Sequence, residues 1–312
     1  RGLTITAETW RIIGIIATWK LATLIVIVAA YFLLPFNETE YLRNFYYPTS
    51  EINFVAHFKT WDAAHFLYLA DEGYGPDRMS SAFYPLYPVL INTLNFFSPF
   101  GNVVNALFIS NVASMAGLVG FYYFVKRYYT PKAAMYALLL FLSFPTAFYL
   151  HLIYSEGLFL VLSIAMFSYL YDHRYTHAAV AAFFLPLVRF FGVMSVIPLA
   201  VFTFLDTRTQ GLSLPHLIDR YKYVLAPVLG FGVYLFYMRV WTGDPLTGQQ
   251  VQAYFDGKEI RELLNPFHVV TDFFRSDVTL HGFTTSVLDR AFFLWFILSL
   301  PLLYRRVDNP LF

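Results

Sequence analysis

The apolar residues of this 312-residue chain fall into runs too long and too free of charge for the faces of soluble helices. A helix needs about 20 mainly apolar residues to cross a bilayer. Residues 21–36 carry no charge and extend back through 12–19, with Lys20 placed to snorkel along its stem. Residues 103–125 form a second run and 133–155 a third. Residues 157–171 follow at once, which predicts a tight hairpin between the third and fourth spans near 154–156. Residues 175–205 are interrupted by Pro186 and Arg189 and read as two antiparallel segments turning near Arg189. Residues 223–238 and 291–304 complete the set. Several runs are short, which predicts broken, tilted or partly interfacial helices. The pattern is that of an all-α membrane protein, a multispanning helical bundle, with residues 1–312 read as one membrane domain.

Orientation follows from the cationic loops. Arg1 and Arg11 put the N-terminus in the cytoplasm, and the following inside loops hold Lys126, Arg127 and Lys132, then Arg174, then Arg208, Arg220 and Lys222, then Arg305 and Arg306. The outside receives residues 37–102, the turn at 154–156, the turn at Arg189, and residues 242–289. The inside loops are short and basic, whereas the outside segments are long or irregular, so the functional site is expected outside.

Composition agrees with lipid as the solvent. Hydrophobic residues make up 58% of the chain and charged residues 13%, against about 25% charged in soluble domains. The aromatic share of 21% suits a chain with many membrane–water interfaces. A net charge of +1 argues against a nucleic-acid partner. Cysteine is absent, which excludes disulfides, thiol nucleophiles and cysteine metal ligands. No Gly-rich phosphate loop, internal repeat or cleavable signal peptide is read in the chain.

The candidate chemistry lies in the outer segments. Residues 61–73 place Trp61, His65 and Tyr68, and also Asp62, His65 and Leu69, at helical spacing, with Gly73 as the stop. A helix along the membrane surface is expected there. Residues 81–88 contain Tyr84, Pro85 and Pro88 and lead into apolar 89–97, a second outer helix that dips into lipid. Asp62 reads as a general base that takes a proton from an attacking hydroxyl; a capping or solvated aspartate accounts for it without chemistry. His65 shares a face with Asp62, but two ligands do not make a metal site, so it reads as a hydrogen-bonding group at the site rim and no metal is expected. Glu156, after Tyr154 and Ser155, either favours a helix N-terminus or meets substrate hydroxyls. Arg189 stands among apolar residues, where a charge is expensive and marks function, and its guanidinium suits a phosphate; pairing with Glu156 is the structural alternative. Gly243-Asp244-Pro245 is first a turn signal, and Gln249, Gln250 and Gln252 after it suit sugar hydroxyls. His268, His281 and the charges of 258–262 read as a solvated surface.

Taken in order, Trp61-Asp62, Gly73-Tyr74, Ala82-Phe83-Tyr84-Pro85-Leu86-Tyr87-Pro88, Tyr154-Ser155-Glu156, Arg189 followed by Gly192, and Thr242-Gly243-Asp244-Pro245-Leu246 resemble the motif series of the GPI mannosyltransferase II family and its prokaryotic relatives, which are multispanning glycosyltransferases of the GT-C superfamily. The resemblance covers about residues 61–252. It implies a polyprenyl- or dolichyl-phosphate mannose donor, inversion at the anomeric carbon, and a lipid-anchored or membrane-proximal acceptor; the residues indicate no cofactor, a divalent metal being possible but not indicated. It also implies that Asp62 is the catalytic carboxylate and sets Tyr154, Ser155, Glu156 and Arg189 at family motif positions; on the residue reading, Arg189 is the candidate for the donor phosphate, and Trp61, His65, Tyr84, Tyr154, Ser155, Glu156, Asp244 and Gln249 are the candidates for substrate contact. Two departures stand out. Phe190 and Phe191 replace the polar middle of the family's arginine motif, and the family usually carries further C-terminal spans. The rival classes are a lipid transporter or scramblase, which predicts related halves or charge spread through the bilayer, and a non-catalytic subunit that binds lipid-linked sugar.

Overall fold

The computed structural model describes residues 6–43, 52–75, 79–209, 219–256, 267, 271 and 287–304. Arg1, Arg305 and Arg306, and the surface expected at 258–262, His268 and His281, lie outside the described residues. Among those described there is no strand. The helices are α1 (Ala7–Leu33), α2 (Glu38–Arg43), α3 (Asp62–Glu72), α4 (Leu86–Phe97), α5 (Gly101–Tyr128), α6 (Pro131–Ser143), α7 (Glu156–Tyr171), α8 (Tyr175–Val188), α9 (Val196–Thr209), α10 (Ala226–Thr242), α11 (Thr247–Asp256) and α12 (Val287–Tyr304). Short 3₁₀ helices sit at Val55–Lys59, Met79–Ala82, Pro145–His151, Phe190–Ser195 and Lys222–Leu225.

Four helical stretches are long and apolar enough to cross a membrane: Ala7–Leu33, Gly101–Tyr128, Phe190–Arg208 and Asp219–Thr242. Their outward residues are large and apolar, among them Val26, Phe32, Phe108 and Phe236, as a lipid-facing surface requires. Helix ends follow local chemistry. Thr6 and Thr130 accept the amides of Thr9 and Ala133 at the starts of α1 and α6. Gly73 at φ 68° and Gly243 at φ 84° end α3 and α10, in backbone that a side chain would strain.

α5 is the central post. It packs on α7 through glycines that bring the backbones together, since a Cβ on Gly157 would lie 2.8 Å from the Ser110 carbonyl oxygen and one on Gly117 2.9 Å from Leu160. α1, α5 and α6 share one core around Ile16, Leu118, Tyr122 and Leu138. α3 and α4 lie against the start of α5 through Phe66, Tyr87, Ile91 and Ala106.

Two expectations change. The run 133–155 is not one straight helix: α6 and the Pro145–His151 helix meet at 85°, because Phe144, which precedes a proline, is extended at ψ 134°. Lys20 does not snorkel. Its ammonium points into the bundle and donates to Asn111 Oδ1 at 2.8 Å, Ser114 Oγ at 2.9 Å and the Leu150 carbonyl at 3.0 Å. The predicted turn at Arg189 is present. α8 ends at Val188, Arg189 is extended (φ −154°, ψ 149°), and the chain doubles back so that Asp206 late in α9 meets Tyr175 at the start of α8.

Candidate active site

The site is built at the bundle end where α3 begins, α7 begins and α8 stops. Asp62 is the first residue of α3. Trp61 before it sits at φ 59° and ψ −139°, a conformation that costs a non-glycine residue about 1–3 kcal/mol. That break in the backbone starts the helix at the carboxylate and leaves the indole outward, 56% exposed.

Asp62 is largely withdrawn from water, and burial is the first cause that pushes its carboxyl up to about 6. The charge of Glu156 raises it further, whereas Arg189 lowers it, so the three groups sense one another. Arg189 Nη1 donates to Glu156 Oε1 at 2.5 Å. The ion pair is half-buried, with the two side chains 40% and 30% exposed. The second oxygen, Glu156 Oε2, is buried without a hydrogen-bond partner among the described residues. Glu156 is the first residue of α7, where a carboxylate also meets the positive end of the helix.

Local packing fixes both partners. Pro186 interrupts α8 from within, and Gly192 folds the chain back so tightly that a Cβ there would lie 2.1 Å from the Leu185 carbonyl carbon. The backbone carrying Arg189 can therefore turn only around glycine. Tyr154 is buried, its ring 4.7 Å from that of Tyr149, and its hydroxyl faces the Asp62 amide. Tyr149 also feels the charges of Asp62 and Glu156. Sequence reasoning passed over Tyr149 because an aromatic within an apolar run carries no periodic signal. Ser155, the residue before α7, is buried.

The other expected residues form a neighbouring group. His65, one turn along α3, accepts or donates at Ser80 Oγ through Nδ1 at 2.9 Å and stacks on Phe83 at 4.7 Å. Burial lowers its imidazole to about 4, so it is neutral at pH 7. Tyr84 stacks on Tyr234 at 4.5 Å, and Gln249 on α11 lies against both hydroxyls. The Gln249 carboxamide and the Tyr234 hydroxyl are buried without a bond of good geometry among the described residues. Tyr234, inside an apolar run of α10, was also missed by the sequence reading. Asp244 stays within its own turn. It accepts from the Leu246 amide at 2.9 Å and from Gln250 Nε2 at 3.0 Å, and these bonds hold its carboxyl below the usual value. Among the described residues no cluster of three or more His, Asp or Glu side chains converges as a metal site would require.

A half-buried carboxylate with a raised pKa beside a part-exposed guanidinium can take a proton from a hydroxyl and hold an anion next to it. The model of a family described as mannosyltransferase (PIG-V) matches residues 15–254. No curated protein matches the chain, and neither does any solved structure.

Proposed function

The chain belongs to the PIG-V mannosyltransferase family, and from that premise we propose that it moves mannose from a polyprenyl- or dolichyl-phosphate donor to a membrane-proximal acceptor, with inversion at the anomeric carbon. It is an integral membrane glycosyltransferase. Its family implies a lipid-linked sugar donor and an acceptor in general terms. The observation that carries the finer reading is the meeting of Asp62, Glu156 and Arg189, from three distant segments, at one end of the bundle.

In this reading Asp62 takes the proton of an acceptor hydroxyl as that oxygen attacks the anomeric carbon. The bond from that carbon to the phosphate oxygen breaks on the opposite face, and its electron pair leaves with the lipid phosphate. The phosphate is already anionic, so no general acid is required. Arg189, anchored by Glu156 through one nitrogen, turns the rest of its guanidinium toward the departing charge. The lipid tail lies between spans. Tyr84, Gln249 and Tyr154 meet sugar hydroxyls, Trp61 covers the entrance, and the reaction faces the extracytoplasmic or lumenal side.

The test is direct. The full chain in lipid discs is incubated with polyprenyl-phosphate sugars and candidate acceptors, and products are read by mass spectrometry. Mannosylated product from the wild type is expected. Asp62→Asn should lower transfer by about 10²–10⁴-fold, the usual contribution of a positioned base, with donor binding kept. Wild-type rates from Asp62→Asn would remove this residue from the mechanism.

A further inference from the structure

Lys20 lies near the midpoint of α1, and an ammonium is expensive at that depth in a membrane. Its three donors meet three acceptors, one on each side chain of Asn111 and Ser114 and one on the Leu150 carbonyl. The neighbouring carbonyls are met in the same way. Asn111 Nδ2 donates to the His151 carbonyl at 3.1 Å, and Ser110 Oγ donates to the Tyr154 carbonyl at 2.9 Å. Tyr87 backs Ser110 through a 2.6 Å hydroxyl contact.

These carbonyls belong to residues 150–156, a strap that runs from the last turn of the Pro145–His151 helix through irregular 152–155 to the first residue of α7. Backbone of this kind survives in a membrane only where protein groups meet its polar atoms. The strap ends on Tyr154, Ser155 and Glu156, and so on the residues that face Asp62 and grip Arg189. Its own backbone bonds are few, from the Leu152 amide to the Tyr149 carbonyl and from the Tyr154 amide to the Leu152 carbonyl, so side chains of α1 and α5 do much of the placing.

Satisfying the Leu150 carbonyl does not require the lysine, because Ser114 Oγ already donates to it at 2.9 Å. What the ammonium adds is a link from a third element, α1, which a cheaper apolar residue could not supply. We propose that Lys20 is a positioning residue for sugar transfer, pinning the 150–156 strap so that Glu156 and Tyr154 stand at fixed places against Asp62 and Arg189. This rests on the transferase mechanism set out above.

The test uses the full chain in lipid discs with Lys20→Met, which keeps the length and removes the donors, and Lys20→Arg, which keeps the charge. In Lys20→Met, kcat should fall by at least about tenfold, as expected when reacting groups are misplaced by a fraction of an ångström or more. Donor KM should change little. Amide exchange should quicken within 150–156 and stay unchanged across the rest of α1, α5 and α7. Lys20→Arg should recover part of the lost kcat. Unchanged kcat in Lys20→Met overturns the proposal, as does unchanged strap exchange. A general fall in Tm with exchange rising throughout also overturns it, since that marks a scaffold residue. If the wild type transfers no sugar, the mechanism fails separately, and strap exchange alone then decides whether Lys20 pins this segment.

Discussion

Asp62 is held where its charged form is costly, and that setting has measurable consequences. Its folded value of about 6 lies above the ordinary 3.8. The native state therefore holds the extra proton between about pH 4 and 6 and loses stability as pH rises through that window. Asp62→Asn should accordingly keep or raise Tm at pH 7 while transfer collapses, a combination read by thermal melts beside the product assay. A base must be ionised to act, so wild-type transfer should fall about tenfold per pH unit below 6. Glu156→Gln removes a charge that raises the Asp62 carboxyl, and its pH–rate profile should show the acid limb moved to lower pH, with a lower plateau because Arg189 loses its anchor. An acid limb that does not move would separate the two carboxylates. For Arg189→Lys the loss should fall on donor use, since one ammonium replaces a planar fork; titration of the donor at fixed acceptor reads it.

The elements carrying these side chains are short because they stop where the site begins. α7 and α8 have 16 and 14 residues, fewer than the 20 or so of a full span. Each gives way to irregular backbone at its site end, and after α8 glycine makes the turn possible. Gly192→Ala would drive a methyl into the Leu185 backbone. A close-packed turn answers such intrusion with about 1–3 kcal/mol of destabilisation, so the expected outcome is a lower Tm together with loss of transfer as Arg189 shifts. Wild-type behaviour on both measures would mean the turn relaxes without moving Arg189. The break at Arg189 was legible from Pro186 and a lone charge in an apolar run. The 85° bend at Phe144 had a local signal in Pro145, but hydropathy alone joined the two halves into one span.

Across the whole molecule the two ends differ in charge. Glu8 with Lys126, Arg127 with Asp172, and Arg220 with Asp206 gather at the end away from Asp62, where the basic loops lie. These pairs balance, but the same segments also carry Arg11, Lys132, Arg174 and Arg208, and that excess of cations predicts that this end faces the cytoplasm and the site faces outward. The native chain has no cysteine, so single cysteines at exposed Glu72 and Tyr129 can report on sidedness. An impermeant maleimide applied from outside should label position 72 and spare 129; the reverse pattern would invert the topology. What the sequence determined by itself was the lipid solvent, the all-helical class, the break at Arg189, and the identity of the acidic and basic groups worth watching. Those follow from local composition and from transfer free energies that act residue by residue. Only the tertiary structure decided that Lys20 turns inward, that Tyr149 and Tyr234 join the polar groups, that Asp244 stays in its own turn, and that residues 62, 156 and 189 share one electrostatic environment. Those depend on which helix faces lie together, and pairwise contacts between distant segments leave no trace in the hydrophobic pattern of any one of them.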